Sequence, residues 1–136
     1  MEVTQDLPDI AVIGSGINRI HQIPRESMYL LQESELIISA LNEPVAVEYL
    51  AEFADGLEDT EYIDLSYIYT SHDNEVRFNA YHEIIMRPLE EAKSRDGLVT
   101  MIGGGHPARW NFTTTSVKRL GETYWGLDVE MLPSIS

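Results

Sequence analysis

Alternation constrains this chain more than any other feature. Five short apolar runs are separated by four stretches with helical periodicity. The runs are Ile10–Ile13, Leu36–Leu41, Glu61–Leu65, Leu98–Ile102 and Asp128–Leu132. They are too short for buried helices, and four are followed at once by glycine, serine or proline, the residues on which a strand turns out of a sheet. A chain that reads strand, helix, strand in this way throughout predicts a parallel sheet with helices on both faces and right-handed crossovers. The expected fold is therefore a three-layer α/β/α domain around a five-stranded, mainly parallel, Rossmann-like sheet.

The intervening stretches have their own signals. Pro24 opens a helix to about Gln32, with Met28, Leu31 and Ile23 on one face. Pro44 opens a second, in which Val45, Tyr49 and Phe53 recur at four-residue spacing before Gly56. The longest pattern runs from Asn74 to Arg95, with Phe78, Tyr81, Ile85, Leu89 and Ala92 as its apolar stripe. Pro88 lies inside it and predicts a kink or a split. A fourth helix is expected over Thr113–Thr123, capped by a leading Asn or Thr.

At 136 residues the chain matches one domain, and no repeat or linker divides it. It has no cysteine, which excludes disulfides, thiolate metal sites and a cysteine nucleophile. The apolar runs are too short to span a bilayer and the first residues carry no basic leader, so a cytoplasmic, soluble protein is expected. Net charge is −14 and uneven: residues 1–66 hold 14 acids and 2 bases, residues 67–136 hold 9 acids and 7 bases. The eight carboxylates between Glu43 and Asp64, with no Lys or Arg among them, repel nucleic acid and anionic membranes. They read as a solvated face, with a docking surface for a basic partner as the minor alternative.

In an open parallel sheet, ligands bind beyond the carboxyl ends of the strands. Those ends hold Gly14-Ser15-Gly16, Ser66-Tyr67-Ile68-Tyr69, Gly103-Gly104-Gly105-His106-Pro107 and Pro133-Ser134-Ile135-Ser136. Gly14-Ser15-Gly16 with Glu43 suggests a dinucleotide site, but Arg19 stands where the third glycine belongs and the helix starts only at Pro24. Ser15 lacks the flanking pattern of a nucleophile elbow. His21, His72, His82 and His106 never fall at the i, i+3 or i, i+4 spacing of paired metal ligands on a helix, so no metal is expected.

Taken together, the segment Ile13 to Pro24 (IGSGINRIHQIP), Gly105-His106-Pro107 and Pro133-Ser134-Ile135-Ser136 resemble the N-terminal half of the tetrapyrrole (corrin/porphyrin) methylase family. Within it the chain is most similar to the branch of borosin peptide backbone α-N-methyltransferases. The likeness covers about residues 10–136. It implies S-adenosylmethionine as cofactor, in a cleft between two α/β domains of which residues 1–136 would be the first, with the second domain absent. Gly103, Gly104, Gly105, His106, Pro107 and Ser136 would line that cofactor. A homodimer or a C-terminal domain would complete the surface.

The resemblance also implies an acceptor side. Tyr69, Arg77 and Tyr81 fall where borosin-type enzymes carry a Tyr, an Arg and a Tyr four residues later, and Arg77 and Tyr81 share a helix face. Methylating an amide nitrogen requires removal of its proton or stabilisation of the imidate oxygen, and phenol and guanidinium suit those tasks. A peptide or a tetrapyrrole-like small molecule both remain acceptors. The sequence departs from the family pattern at Gly104, where a tyrosine is usual, and at Ala108 and Ser134, where glycine is usual. Two other functions stay open: a non-catalytic binding or assembly domain on the same fold, and another Rossmann-like nucleotide-binding enzyme.

Overall fold

The computed structural model describes residues 7–13, 25–40, 44–57, 60–65, 72–103 and 107–132. The elements are β1 (Ile10–Ile13), α1 (Arg25–Gln32), β2 (Ser34–Ala40), α2 (Pro44–Asp55), β3 (Glu61–Asp64), α3 (Asn74–Ser94), β4 (Leu98–Gly103), α4 (Pro107–Tyr124) and β5 (Val129–Leu132). The five strands form one parallel sheet in the order β3-β2-β4-β1-β5.

This order explains the apolar runs. β1, β2 and β4 lie inside the sheet with helices on both sides, and every residue of β1 and β4 is buried. The edge strands β3 and β5 instead place Glu61, Asp64 and Glu130 at exposed positions, and charges on an edge discourage pairing with another sheet.

Two cores flank the sheet. Leu30 and Leu31 of α1 and Ala54 of α2 pack with Ala11, Ile13, Ile37, Leu98, Ile102 and Leu132. On the other side Ala80, Ile84, Leu89 and Ala92 of α3 and Val117 of α4 pack with Ile10, Val12, Leu36, Ile38, Val99, Met101 and Val129. The first two crossovers run one way along the sheet and the last two run back. Helices of the first pair therefore cover one face and those of the second pair the other, as a single handedness of crossover requires.

Three expectations need correction. α3 is not split at Pro88 but runs through it as one helix. The missing proline N–H removes one backbone bond, but buried Ile84, Leu89 and Ala92 anchor both halves, and Arg87 bridges Glu83 at 2.6 Å and Glu91 at 3.0 Å across the gap. α4 begins at Pro107, six residues before the expected start, so Asn111 and Thr113 lie within it rather than capping it. Proline at a first helical position needs no N–H there, and Thr113 and Thr114 are accommodated as buried helix residues. Finally, Phe78 is not core: it is 73% exposed, and Ala80 and Ile84 take the buried positions of this half of α3.

The sheet edge where the strands begin is fastened by charge. Arg95, just past α3, reaches Glu91 at 2.9 Å, Glu61 of β3 at 3.0 Å and Glu35 of β2 at 3.7 Å. The two hydrogen bonds from Arg95 and Arg87 hold the Glu91 carboxyl below the usual carboxylate range, against the opposing effect of partial burial. At the far end of α4, Gly126 has φ +64°, which lets the Leu127 N–H return to the Gly121 carbonyl at 2.9 Å before β5 begins.

Candidate functional site

The carboxyl ends of all five strands lie in one register. Ile13 is opposite Ile102 and Leu132, Ser39 is opposite Ile102 and Asp64, and Ala40 is opposite Gly103. β4 has β1 on one side and β2 on the other, and both neighbours lead into helices on one face while β4 leads into α4 on the opposite face. Chains that leave adjacent strand ends toward opposite faces open a crevice between them, the usual ligand position in such sheets.

In the chain, the glycine-rich segments come directly at the ends of these strands: 14–16 follows β1, and 103–107 runs from the last residue of β4 to the first of α4. Gly103 closes β4, is buried, and faces Ala40 across the pair, so two small residues stand together at the mouth. That absence of side-chain bulk leaves the backbone open to close approach by a ligand. Pro107 is the first residue of α4. Gly104, Gly105, His106, Tyr69 and Ser136 lie outside the described residues.

Arg77 and Tyr81, the other residues singled out in the sequence, lie on α3, which Asp73 caps, its Oδ1 accepting from the N–H of Glu75 at 2.9 Å and of Val76 at 3.3 Å. The helix follows β3, and its other end lies where β2 and β3 begin, since Arg95 just past it pairs with Glu35 and Glu61. Arg77 sits one turn in, half-buried, and Tyr81 follows one turn later on the same helix; the Tyr81 side chain lies outside the described set. At about 1.5 Å rise per residue the two positions are roughly 6 Å apart along the helix axis. Arg77 and Tyr81 thus lie one turn apart in the first half of one helix.

One polar cluster at this edge escaped the sequence reading. Ser39 Oγ, fully buried, lies 2.5 Å from the Tyr62 hydroxyl and 3.4 Å from Asp64 Oδ1. Burial pushes the Tyr62 phenol up from its ordinary pKa, with the Asp64 charge adding to the rise and the Ser39 hydrogen bond opposing it. The signal was present as a serine within an apolar run, and as Tyr62 and Asp64 two apart on a strand, where alternate residues share a face. Deeper on the same face, Ser34 Oγ donates to the Leu30 carbonyl at 2.6 Å and shares a 2.6 Å hydrogen bond with Thr100 Oγ1, which satisfies both buried hydroxyls.

No cluster of three or more His, Cys, Asp or Glu set to hold a metal occurs among the described residues. No helix among them is long and apolar enough to cross a membrane. The fold and the crevice define an open, all-parallel three-layer α/β domain with its candidate site at a topological switch point. No known protein family's sequence profile matches the chain. No curated protein matches it either.

Proposed function

We propose that this chain is the donor-binding domain of an S-adenosylmethionine-dependent methyltransferase of the tetrapyrrole-methylase type. The observation that carries the reading is the pairing of β1 with β4 at the crevice: Ile13 is opposite Ile102, and the two strand ends lead directly into the two glycine-rich segments that resemble that family. A methyl donor needs positioning more than activation, because its sulfonium already makes the methyl group electrophilic.

In this reading Gly103 and the segment through Pro107 hold the donor against backbone, with Ser136 beside it. Arg77 stabilises negative charge on the oxygen of a peptide or tetrapyrrole-like acceptor, while Tyr69 and Tyr81 orient the acceptor and move its proton. Completion of the cleft by a second domain or a second chain belongs to the same proposal, as does a cytoplasmic location. The departures at Gly104, Ala108 and Ser134 favour one second reading, a binding or assembly domain that kept the fold without turnover.

Calorimetry with S-adenosylmethionine and S-adenosylhomocysteine, with NADH as comparator, tests the proposal. Saturable heat with both sulfur ligands and none with NADH is expected, and Gly103→Val, which puts bulk beside Ala40, is expected to weaken binding at least tenfold. A folded sample that gives no heat with either sulfur ligand at millimolar concentration refutes donor binding by this chain. Binding without methylation of any acceptor, in a preparation that includes the completing domain, selects the second reading.

A further inference from the structure

α4 is the only helix among the described elements with more bases than acids. It carries Arg109, Lys118 and Arg119 against Glu122 alone, whereas α1 is balanced, α2 has three acids and no base, and α3 has four acids to three bases. In a chain of net charge −14 this is a local reversal of sign. Phe112, Thr115, Ser116, Arg119 and Leu120 of α4 line an open groove of about 480 Å³.

Two side chains in that groove are notable among the described residues. Phe112 is 67% exposed. Arg119 makes no ion pair or side-chain hydrogen bond among the described residues, although Arg87, Arg95 and Lys118 all pair with glutamates. Phe112, Ser116 and Arg119 recur at spacings of four and three, so the ring and the guanidinium stand on one helix stripe, about two turns apart. Phe78, also exposed, lies on the stripe of α3 that carries Leu89, the residue beside Gly121 of α4.

We propose that this groove docks an acidic amphipathic helix of a partner protein, with an apolar side chain against Phe112 and Leu120 and a carboxylate on Arg119. Charge complementarity selects the partner's sign, since the one charged side chain among the groove's described lining is a cation, Arg119, on the one described helix with more bases than acids. The exposed Phe112 ring beside the half-buried Leu120 selects a protein segment over a nucleic acid, whose phosphates require a row of cations that the described lining of this groove does not offer. Helix-in-groove recognition supplies apolar anchors at i, i+3, i+4 and i+7, which fits an elongated site along a helix. Its described lining comes from α4 alone and begins five residues past Pro107.

The probe is a fluorescein-labelled synthetic helix with leucines at those four positions and glutamates elsewhere, compared with the same peptide carrying glutamine for glutamate. Anisotropy gives affinity, and amide shifts in ¹⁵N spectra give location. The glutamate peptide is expected to bind about tenfold tighter than the glutamine peptide despite the protein's overall negative charge, with shifts concentrated over Phe112–Leu120. Arg119→Glu is expected to abolish that preference, and Phe112→Ser to weaken both peptides. Both side chains are surface groups, and Arg119→Gln serves as the milder variant if charge reversal disturbs folding. Equal affinity for the two peptides, shifts elsewhere, or a preference that survives at Arg119→Glu overturns the proposal. Self-association of the free protein that is lost in Arg119→Glu also overturns it, by giving the groove to a second copy.

Discussion

Leu89 and Gly121 are predicted to be energetically coupled, and a double-mutant cycle measures the coupling. Leu89 is fully buried where α3 meets α4, and a Cβ built on Gly121 would lie 3.1 Å from Leu89 Cδ2 and 3.0 Å from Val129 Cγ2. Leu89→Ala removes three carbon groups, a transfer loss of about 2.4 kcal/mol at roughly 0.8 kcal/mol each. The cavity adds to this, because Gly121 has no side chain that can move into it, so the total falls at about 3–4 kcal/mol. Gly121→Ala alone gains about 1 kcal/mol of helix propensity and loses a similar amount or more, about 1–3 kcal/mol, to overpacking against two branched side chains. In the Leu89→Ala background half of that crowding is gone and the added methyl refills part of the void. The double variant is therefore expected to be about 1–2 kcal/mol more stable than the sum of the singles, within the range seen for residues in contact. Urea unfolding followed by far-UV circular dichroism, with unchanged m-values as the check on two-state behaviour, gives all four corners. Additivity within about 0.3 kcal/mol refutes the packing of α3 on α4 at this point.

Three further outcomes follow from local geometry. Asp73→Ala removes the cap of α3 and is expected to cost about 1 kcal/mol, with Asp73→Asn recovering most of it in the same unfolding assay. Tyr62 has a raised phenol pKa, so its contribution to stability is complete below pH 10 and is lost as pH climbs through the folded-state value; Tyr62→Phe is expected to flatten this alkaline decline, and a decline of unchanged depth refutes the assignment. Glu91 has a lowered pKa, so its contribution is present above the unfolded value near 4.5 and is lost as pH falls through the folded-state value. Glu91→Gln is expected to cost roughly 1–2 kcal/mol at pH 7 and little at pH 2, measured by urea midpoints at the two pH values.

Much of the fold was legible because strand length and burial act locally. Ile10–Ile13 reads as a strand since four consecutive apolar residues between turn signals have few other uses, and that run is β1 without adjustment. The start of α4 was not legible: Pro107 follows directly on the glycine segment, and a stretch with Arg109, Trp110 and Asn111 shows no apolar stripe. Phe78 was misread for a related reason. Its spacing to Ile85 and Leu89 is helical, but whether a stripe is covered at a given height depends on where the neighbouring helix lies. Among the candidate site residues, the glycine-rich ends were visible because a run of three glycines is rare in a sheet. Ser39 was not visible, because a hydroxyl within an apolar run acquires meaning only when Tyr62 is brought beside it from the next strand.

By itself, then, the sequence determined the alternation of elements, the acidic bias, the absence of thiol chemistry and the candidate segments, because each depends on residues near one another in the chain. Only the tertiary structure decided the strand order. Nothing local dictates that β4 inserts between β2 and β1, yet that insertion reverses the direction of the crossovers and creates the crevice at the ends of β1 and β4. Residues 89 positions apart, Ile13 and Ile102, become neighbours there through backbone hydrogen bonds between their strands, long-range pairings that no local pattern encodes.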